Sequence, residues 1–192
     1  MTRASALACT LALLLPAACV ATPAHRPLPA PGVPPPEALA KAGAPVGTFR
    51  FTVVLELSGT PEQVWDAFTG DVSAWWDHRF SEQPAALVIE PRVGGRFVEL
   101  FDGEGNGVVH ADVTAAHRGH LLRMVGPLGL AGNATLMVHT LEFAPTDTGT
   151  RLTLTCDASG HVEPGWSATV QGVWRHFLIE QFGPWYEAGA RR

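Results

Sequence analysis

The sequence predicts an α+β domain in which a curved antiparallel sheet of about six to seven strands wraps around a long C-terminal helix, with two short helices after the first strand. The long helix is indicated by the segment from Trp166 to Trp185, where large apolar residues recur every three to five positions, close to the repeat of one helical face. These residues are Trp166, Val170, Trp174, Phe177 or Leu178, Phe182 and Trp185. The sheet is indicated by alternating apolar and polar residues between Thr48 and Asp157. Because the apolar face of the helix must be buried, the sheet is its simplest partner, and a curved sheet around a helix leaves a hollow between the two.

Composition limits the domain count and the classes of partner. The chain has 192 residues, of which 46% are hydrophobic, and carries a net charge of -5 without any lysine- or arginine-rich run. Without its N-terminal stretch, roughly 140 residues remain, the usual size of one domain. Nucleic acid requires concentrated positive charge on its partner, so the composition excludes a nucleic-acid partner.

The N-terminus has the layout of a secretory signal peptide, residues 1–21. Arg3 precedes an apolar run centred on Leu11 to Leu15, and small residues follow at Ala17 and Ala18. Cys19 adds a second interpretation, a bacterial lipoprotein lipidated at this cysteine, and the sequence leaves both open. In either case we expect an exported protein of the periplasm or cell envelope, with membrane contact only through such an anchor.

A proline-rich linker, residues 22–47, follows the signal peptide. Such a segment is extended and has nothing to bury, which indicates a spacer. The folded domain is predicted to span residues 48–189.

The first strand is predicted from Thr48 to Leu57, and a short helix follows it. Thr60 can cap that helix and Pro61 can begin it, because proline at the first helical position loses no hydrogen bond. Gly70 is expected to end it. Asp71 can cap a second short helix that runs through Trp75 and Trp76.

The remaining strands are separated by glycine-rich turns. We predict them at Leu87–Ile89, Arg96–Phe101, Val108–Ala116, Leu121–Val125, Thr135–Phe143 and Arg151–Cys156. The apolar segment Gly126–Gly132 either packs under the edge of the sheet or forms a mobile lip of a pocket. Gly183 and Pro184 are expected to break or kink the end of the long helix.

Four stretches carry a resemblance to a known family. They are Thr60–Phe68, Ala74–Trp76, Val93–Phe97 and Gly149–Thr155. On these motifs the domain resembles the SRPBCC superfamily, whose START-like or helix-grip fold is shared by birch-pollen-type allergens and polyketide cyclases. Within it, the chain is most similar to bacterial domains like the activator of the heat-shock-protein-ninety ATPase. The resemblance implies a cavity for a small apolar molecule between sheet and helix and no fixed set of catalytic residues. Co-chaperone activity is not expected, because an exported domain meets neither that chaperone nor ATP.

Strand alternation places two polar residues on apolar faces. Glu99 shares a face with Phe97 and Phe101, and His139 shares one with Met137 and Leu141. Both are either structural residues satisfied within the core or polar anchors of an apolar pocket. The predicted ligand-binding residues are Trp75, Trp76, Phe97, Glu99, Phe101, Met137, His139, Leu141, Trp174 and Phe177.

Other reactive residue types give no site. His110 and Asp112 share one strand face by alternation, and His117 and His120 flank the next turn, but this spacing fits no established zinc layout. We therefore expect no metal and no cofactor. Cys156 is the only thiol of the folded part and is predicted to be a buried apolar residue.

Three functions are consistent with these residues. The first is binding, without catalysis, of a small hydrophobic molecule in the cavity between the sheet and the C-terminal helix. The second is a cyclase-like or hydrolytic enzyme that uses Glu99 and His139 as acid and base. The third is a protein-interaction module of the cell envelope, favoured if side chains fill the cavity.

Overall fold

The computed structural model of the protein describes residues 46–189. The predicted signal peptide and nearly all of the predicted linker lie outside the described residues. The first strand begins at Val46, slightly before the predicted domain boundary at Thr48.

The described residues form one sheet of eight antiparallel strands in the order β1-β8-β7-β6-β5-β4-β3-β2. The strands are β1 (Val46–Leu57), β2 (Gly70–Asp71), β3 (Ala86–Ile89), β4 (Arg96–Leu100), β5 (Gly107–His117), β6 (Leu121–Val125), β7 (Thr135–Thr146) and β8 (Gly149–His161). The predicted fold class is confirmed. The count exceeds six to seven because the two-residue β2 pairs with β3, with Gly70 opposite Ile89. So short a strand leaves no alternation pattern in the sequence.

The first helix, α1 (Pro61–Phe68), begins as predicted. The Thr60 side chain accepts the Gln63 N–H at 3.3 Å, and the Gln63 side chain accepts the Thr60 N–H at 2.9 Å, which completes a capping box. The helix buries Val64, Trp65 and Phe68 against the sheet.

The predicted second short helix is only a single turn. The Val72 carbonyl accepts the N–H groups of Trp75 and Trp76, at 3.1 and 2.9 Å, and no further helical bond follows. Adjacent residues on a helix point about 100° apart, so a continued helix could not bury both indoles equally. Here Trp75 and Trp76 are only 2% and 3% exposed. Because the helix ends after one turn, the chain can direct both indoles into the core.

The C-terminal helix is continuous but changes its winding. It consists of α2 (Trp166–Arg175), a π-helical segment (His176–Phe182, the π segment) and α3 (Gly183–Glu187). The expected break at Gly183 and Pro184 is absent: the helix continues through both residues, and Pro184 lies where the π segment passes into α3. Gly183 is buried beside β1, and a Cβ there would be in ordinary contact with the Leu55 side chain, at 3.5 Å.

The wider winding explains which residues the helix buries. Phe177 and Leu178 are both at most 1% exposed, although a single apolar stripe favours one of the two. Phe182 and Tyr186 continue the buried face, and the Tyr186 hydroxyl donates to the Ser58 carbonyl at 2.9 Å. The buried face therefore ends at Tyr186, not at the predicted Trp185, which is only partly buried.

No helix within residues 46–189 has the length and apolar character needed to cross a membrane.

Candidate functional site

A cavity of about 330 Å³ lies between the sheet and α2. Its walls come from four parts of the chain. They are Thr169, Val170, Val173, Trp174 and Phe177 of the helix; Pro127, Leu128, Gly129 and Leu130 after β6; Trp76, His78, Arg79 and Phe80 after α1; and His110 and Met137 of the sheet. His78, Arg79, Phe80, Gly129 and Thr169 are exposed, so the cavity reaches the surface beside them.

The helix side of the cavity is aromatic. The Trp76 ring stacks on Phe177 with 3.7 Å between centroids and 16° between planes. Trp174 meets Trp76 edge-on at 5.8 Å and Phe177 edge-on at 6.2 Å. Interlocked rings of this kind form a rigid apolar surface, suited to packing against a flat or apolar molecule.

The segment after β6 forms another wall. Leu128 begins a short 3-10 turn (Leu128–Leu130), is buried and has a φ of 49°. A leucine in this left-handed region is strained, and its burial against the cavity offsets that strain. Two interpretations of Gly126–Gly132 were open: packing under the edge of the sheet, or forming a lip of the pocket. Leu128 is buried, as the first interpretation expects, and the segment also lines the cavity.

A β-bulge brings His110 into the site. Phe97 of β4 is opposite Ala111 and Val98 is opposite Val109, so His110 is the extra residue of β5. Such a bulge turns two consecutive residues to the same face, and both His110 and Ala111 are buried. The prediction that His110 and Asp112 share a face is therefore wrong; Asp112 is exposed and pairs with Arg96 at 3.7 Å.

Glu99 holds two elements together beneath the cavity. Its carboxylate accepts the Ser81 N–H at 2.7 Å on one oxygen, and the Phe80 N–H at 3.0 Å and His110 Nε2 at 3.2 Å on the other. Glu99 is fully buried, so these three bonds compensate for its desolvation. The carboxylate therefore fixes both the coil that carries Phe80 and the orientation of the His110 ring.

His110 is a neutral imidazole with a defined tautomer. Burial lowers its pKa, and the adjacent Glu99 opposes only part of that shift. Because Glu99 accepts from Nε2, the network assigns the hydrogen to Nε2 and leaves the lone pair on Nδ1. Nδ1 has no hydrogen-bond partner within residues 46–189.

The ten predicted ligand-binding residues divide into three groups. Trp76, Met137, Trp174 and Phe177 line the cavity. Trp75, Phe97, Leu141, Glu99 and His139 are buried but lie outside the lining. Phe101 is not buried and does not line the cavity. Strand β4 ends at Leu100 and the chain then turns, which leaves Phe101 38% exposed.

His139 is a structural residue and not the partner of Glu99. Its Nε2 bonds the Gly126 carbonyl at 3.1 Å, and burial lowers its pKa to about 4. Glu99 instead bonds His110. The predicted acid and base, Glu99 and His139, both lie outside the cavity lining, whereas His110 is part of it and was left out of the predicted site.

A polar cluster, Asp77, His78 and His176, lies at the rim of the cavity. Asp77 bonds His78 Nδ1 through one oxygen and His176 Nε2 through the other, both at 2.8 Å. The other ring nitrogen of His176 bonds Glu180 at 3.0 Å, and both carboxylates raise the His176 pKa. One ligand atom from each residue of the cluster lies within 4.8 Å of the others, so these three side chains can also hold a metal ion.

The predicted status of Cys156 is confirmed. The thiol is buried in β8, and burial raises its pKa to about 12, which makes it inert as a nucleophile. His117 and His120 are exposed at the turn between β5 and β6, whereas His110 is buried, so they do not form the metal set considered from the sequence.

The profile of one protein family, described as activator of Hsp90 ATPase homolog 1-like protein, matches residues 58–183. The chain belongs to this family. The resemblance found in the four sequence motifs is thereby confirmed. The SRPBCC fold of the family is known for binding hydrophobic ligands.

Solved structures show the same fold as this AHSA1-like chain. The solution structure of an AHSA1-like protein from Aeromonas hydrophila is 21% identical, with a TM-score of 0.56 over 75% of this chain and 96% of that one. A crystal structure from Mesorhizobium loti is also 21% identical, with a TM-score of 0.53 over 73% of this chain and 98% of that one. No curated protein matches the AHSA1-like chain significantly.

Proposed function

We propose that this domain binds a small, mainly apolar molecule, without catalysis, in the cavity between the sheet and the C-terminal helix. The observation that carries the proposal is the cavity itself, about 330 Å³ with aromatic walls and few polar atoms. This volume and lining are those of small-molecule sites, which combine apolar walls with a few polar groups. The open cavity favours small-molecule binding over a protein-interaction module, for which we expect a cavity filled by side chains and an exposed apolar patch instead.

The proposal is tested by blocking the cavity. Val173 lines it and is partly buried, so Val173→Phe is expected to occupy the space and abolish binding of the neutral dye N-phenyl-1-naphthylamine to the full chain. Val54→Phe, at a 48% exposed residue of β1, is the matched control and is expected to bind the dye like the parent. Dye fluorescence that is absent in the parent, or equal in the parent and Val173→Phe, contradicts the proposal.

A second candidate function is an enzyme that uses Glu99 and His110. The observation that favours it is the carboxylate at 3.2 Å from Nε2, which orients the imidazole as in a general-base pair. The two functions are distinguished by identifying, by mass spectrometry, the small molecule that co-purifies with the parent and with Glu99→Gln. Binding predicts the same molecule in both proteins, whereas catalysis predicts product with the parent and unreacted substrate with the variant.

We also propose that the protein is exported, on the basis of residues 1–21 alone. The intact mass of the protein recovered from the envelope tests this. A mass starting at Cys19 with an added lipid supports the anchor, and a free amino terminus beyond Cys19 supports simple cleavage. A full-length mass in the cytoplasm rejects export.

A further inference from the structure

Two buried polar atoms belong to residues of the cavity wall and lack a partner. They are Nδ1 of His110 and Nε1 of Trp174, whose residues are 3% and 1% exposed, and neither atom has a hydrogen-bond partner within residues 46–189. Buried polar atoms in native proteins are nearly always paired, because an unpaired one forfeits its bonds to water. The other polar side chains of the wall, His78, Arg79 and Thr169, are exposed at the surface, so these two atoms are the unpaired polar groups of its buried part.

The two atoms have opposite hydrogen-bonding character. Since Nε2 of His110 donates to Glu99, Nδ1 carries the lone pair and accepts. The indole Nε1 of Trp174 can only donate. The wall therefore offers one acceptor on the sheet side and one donor on the helix side.

The charge of a matching ligand follows from the surroundings of His110. An anionic group near Nδ1 would meet a lone pair on a neutral ring and the Glu99 carboxylate behind it. Among the lining residues of the described chain, the only arginine is Arg79, which is exposed at the surface. A neutral polar group is therefore favoured inside the cavity.

We infer that the ligand is a neutral aromatic or similarly apolar molecule that carries a hydroxyl or N–H group for His110 Nδ1 and an acceptor oxygen for Trp174 Nε1. This inference rests on the proposed function, because it assigns polar partners within the same cavity. Phe80 lines the cavity with its ring centroid 5.7 Å from that of His110, and it is 54% exposed. Both unpaired atoms are closed off from the open part of the cavity in the structure, so a ligand reaches them only when a neighbouring wall side chain moves, and Phe80 is an exposed neighbour of His110.

The experiment compares ligand pairs that match in shape and differ in hydrogen bonding, each displacing N-phenyl-1-naphthylamine from the full chain. The first pair is 2-naphthol and 2-methylnaphthalene, and it probes His110. The second pair is 2-methoxynaphthalene, which accepts but does not donate, and 2-ethylnaphthalene, which does neither, and it probes Trp174. Because the two compounds of a pair have nearly the same shape, the apolar contribution to affinity largely cancels in the ratio of their dissociation constants, and the ratio reports the hydrogen bond.

Each variant removes one of the two unpaired atoms, and His110→Leu also removes Nε2 with its bond to Glu99. His110→Leu is expected to reduce the preference for 2-naphthol roughly fivefold to tenfold, the value of one ordinary hydrogen bond. Trp174→Phe is expected to reduce the preference for the methoxy compound by a similar factor. Trp75→Phe is the matched control, because Trp75 Nε1 is also buried and unpartnered within the described residues but lies outside the cavity lining, so neither ratio should change.

The outcomes separate this inference from the proposed function. If the parent does not bind the dye, or Val173→Phe binds it equally well, the proposed function and the inference both fail. If the dye binds in the cavity and none of the four compounds displaces it, only the inference is overturned. If all four displace it and the ratios are equal in the parent and every variant, the cavity binds apolar molecules and only the inference is overturned. Should His110→Leu not fold, the ¹⁵N resonance of His110 Nδ1 in the parent is followed instead. A shift with 2-naphthol and none with 2-methylnaphthalene supports the inference, and equal responses reject it.

Discussion

Glu99 and His110 form a buried hydrogen bond, 3.2 Å between a carboxylate oxygen and Nε2, across a β-bulge at one wall of the cavity. The same carboxylate accepts the backbone N–H groups of Phe80 and Ser81. One side chain thus links a sheet strand, the bulge and the coil at the rim.

Glu99→Gln is expected to destabilise the fold by about 3 kcal/mol, because the amide keeps one acceptor oxygen and points its NH₂ group at a neighbouring N–H. The measurement is the free energy of unfolding from urea denaturation at neutral pH. Glu142→Gln, on an exposed residue of β7, is the control and is expected to change stability by less than about 0.5 kcal/mol. Equal midpoints for the two variants would show that the three bonds to Glu99 contribute little.

Acid is expected to destabilise the domain through His139. Its pKa is about 4 in the fold, against about 6.5 when unfolded, so the unfolded chain binds more protons between these values. The stability contributed by the neutral ring is complete above pH 6.5 and is lost as the pH falls towards 4. The loss is on the order of 3 kcal/mol.

The measurement is the free energy of unfolding from pH 7.5 to 4 for the parent and for His139→Leu. The variant should show a shallower slope in this window. His161→Leu, at an exposed histidine, serves as the control and should keep the slope of the parent. A parent-like slope in His139→Leu would assign the acid sensitivity to other groups.

The rim cluster is expected to respond to pH with the opposite sign. Glu180 and Asp77 raise the pKa of His176, so the fold binds the proton more tightly than the unfolded chain does. The stabilising effect is complete below the unfolded value of about 6.5 and is lost as the pH rises through the folded value. Asp77→Asn should therefore lower the His176 pKa, which the ring proton resonances report in an NMR titration. An unchanged titration would mean that Glu180 alone determines it.

The sequence predicted the fold well because the fold depends on periodicity. Alternation identified the seven longer strands, and it correctly placed Glu99 and His139 on buried faces. It failed at His110, since a bulge inserts one residue into the strand and strict alternation assigns every later residue to the opposite face.

Other features of the site depend on contacts between distant residues. Asp77 and His176 are 99 residues apart, and only the packing of the helix against the rim brings them together. The helical periodicity also did not predict the π segment, although one feature of the sequence is consistent with it. The helical stripe left Phe177 and Leu178 as alternatives, and both are buried because a π turn holds more residues than an α turn.

Gly126 is expected to be essential for the position of His110. A Cβ at this residue would contact the His110 carbonyl oxygen and lie 2.5 Å from the Ala111 Cα, and both are backbone atoms of the bulge. The Gly126 carbonyl also accepts the bond from His139 Nε2. Gly126→Ala must therefore displace the bulged strand, the Gly126 segment or both.

We expect Gly126→Ala to cost about 2 kcal/mol or more in unfolding free energy, as overpacking does, and to weaken dye binding in molecules that remain folded. The control is Gly103→Ala, in the exposed turn between β4 and β5 and outside the cavity lining, where a Cβ meets nothing within 4 Å and φ is not positive. That variant should unfold and bind like the parent. Of the two alanines, only the one at position 126 meets the backbone of the bulge, so similar behaviour of both variants would show that the strand adjusts freely and that the position of His110 does not depend on Gly126.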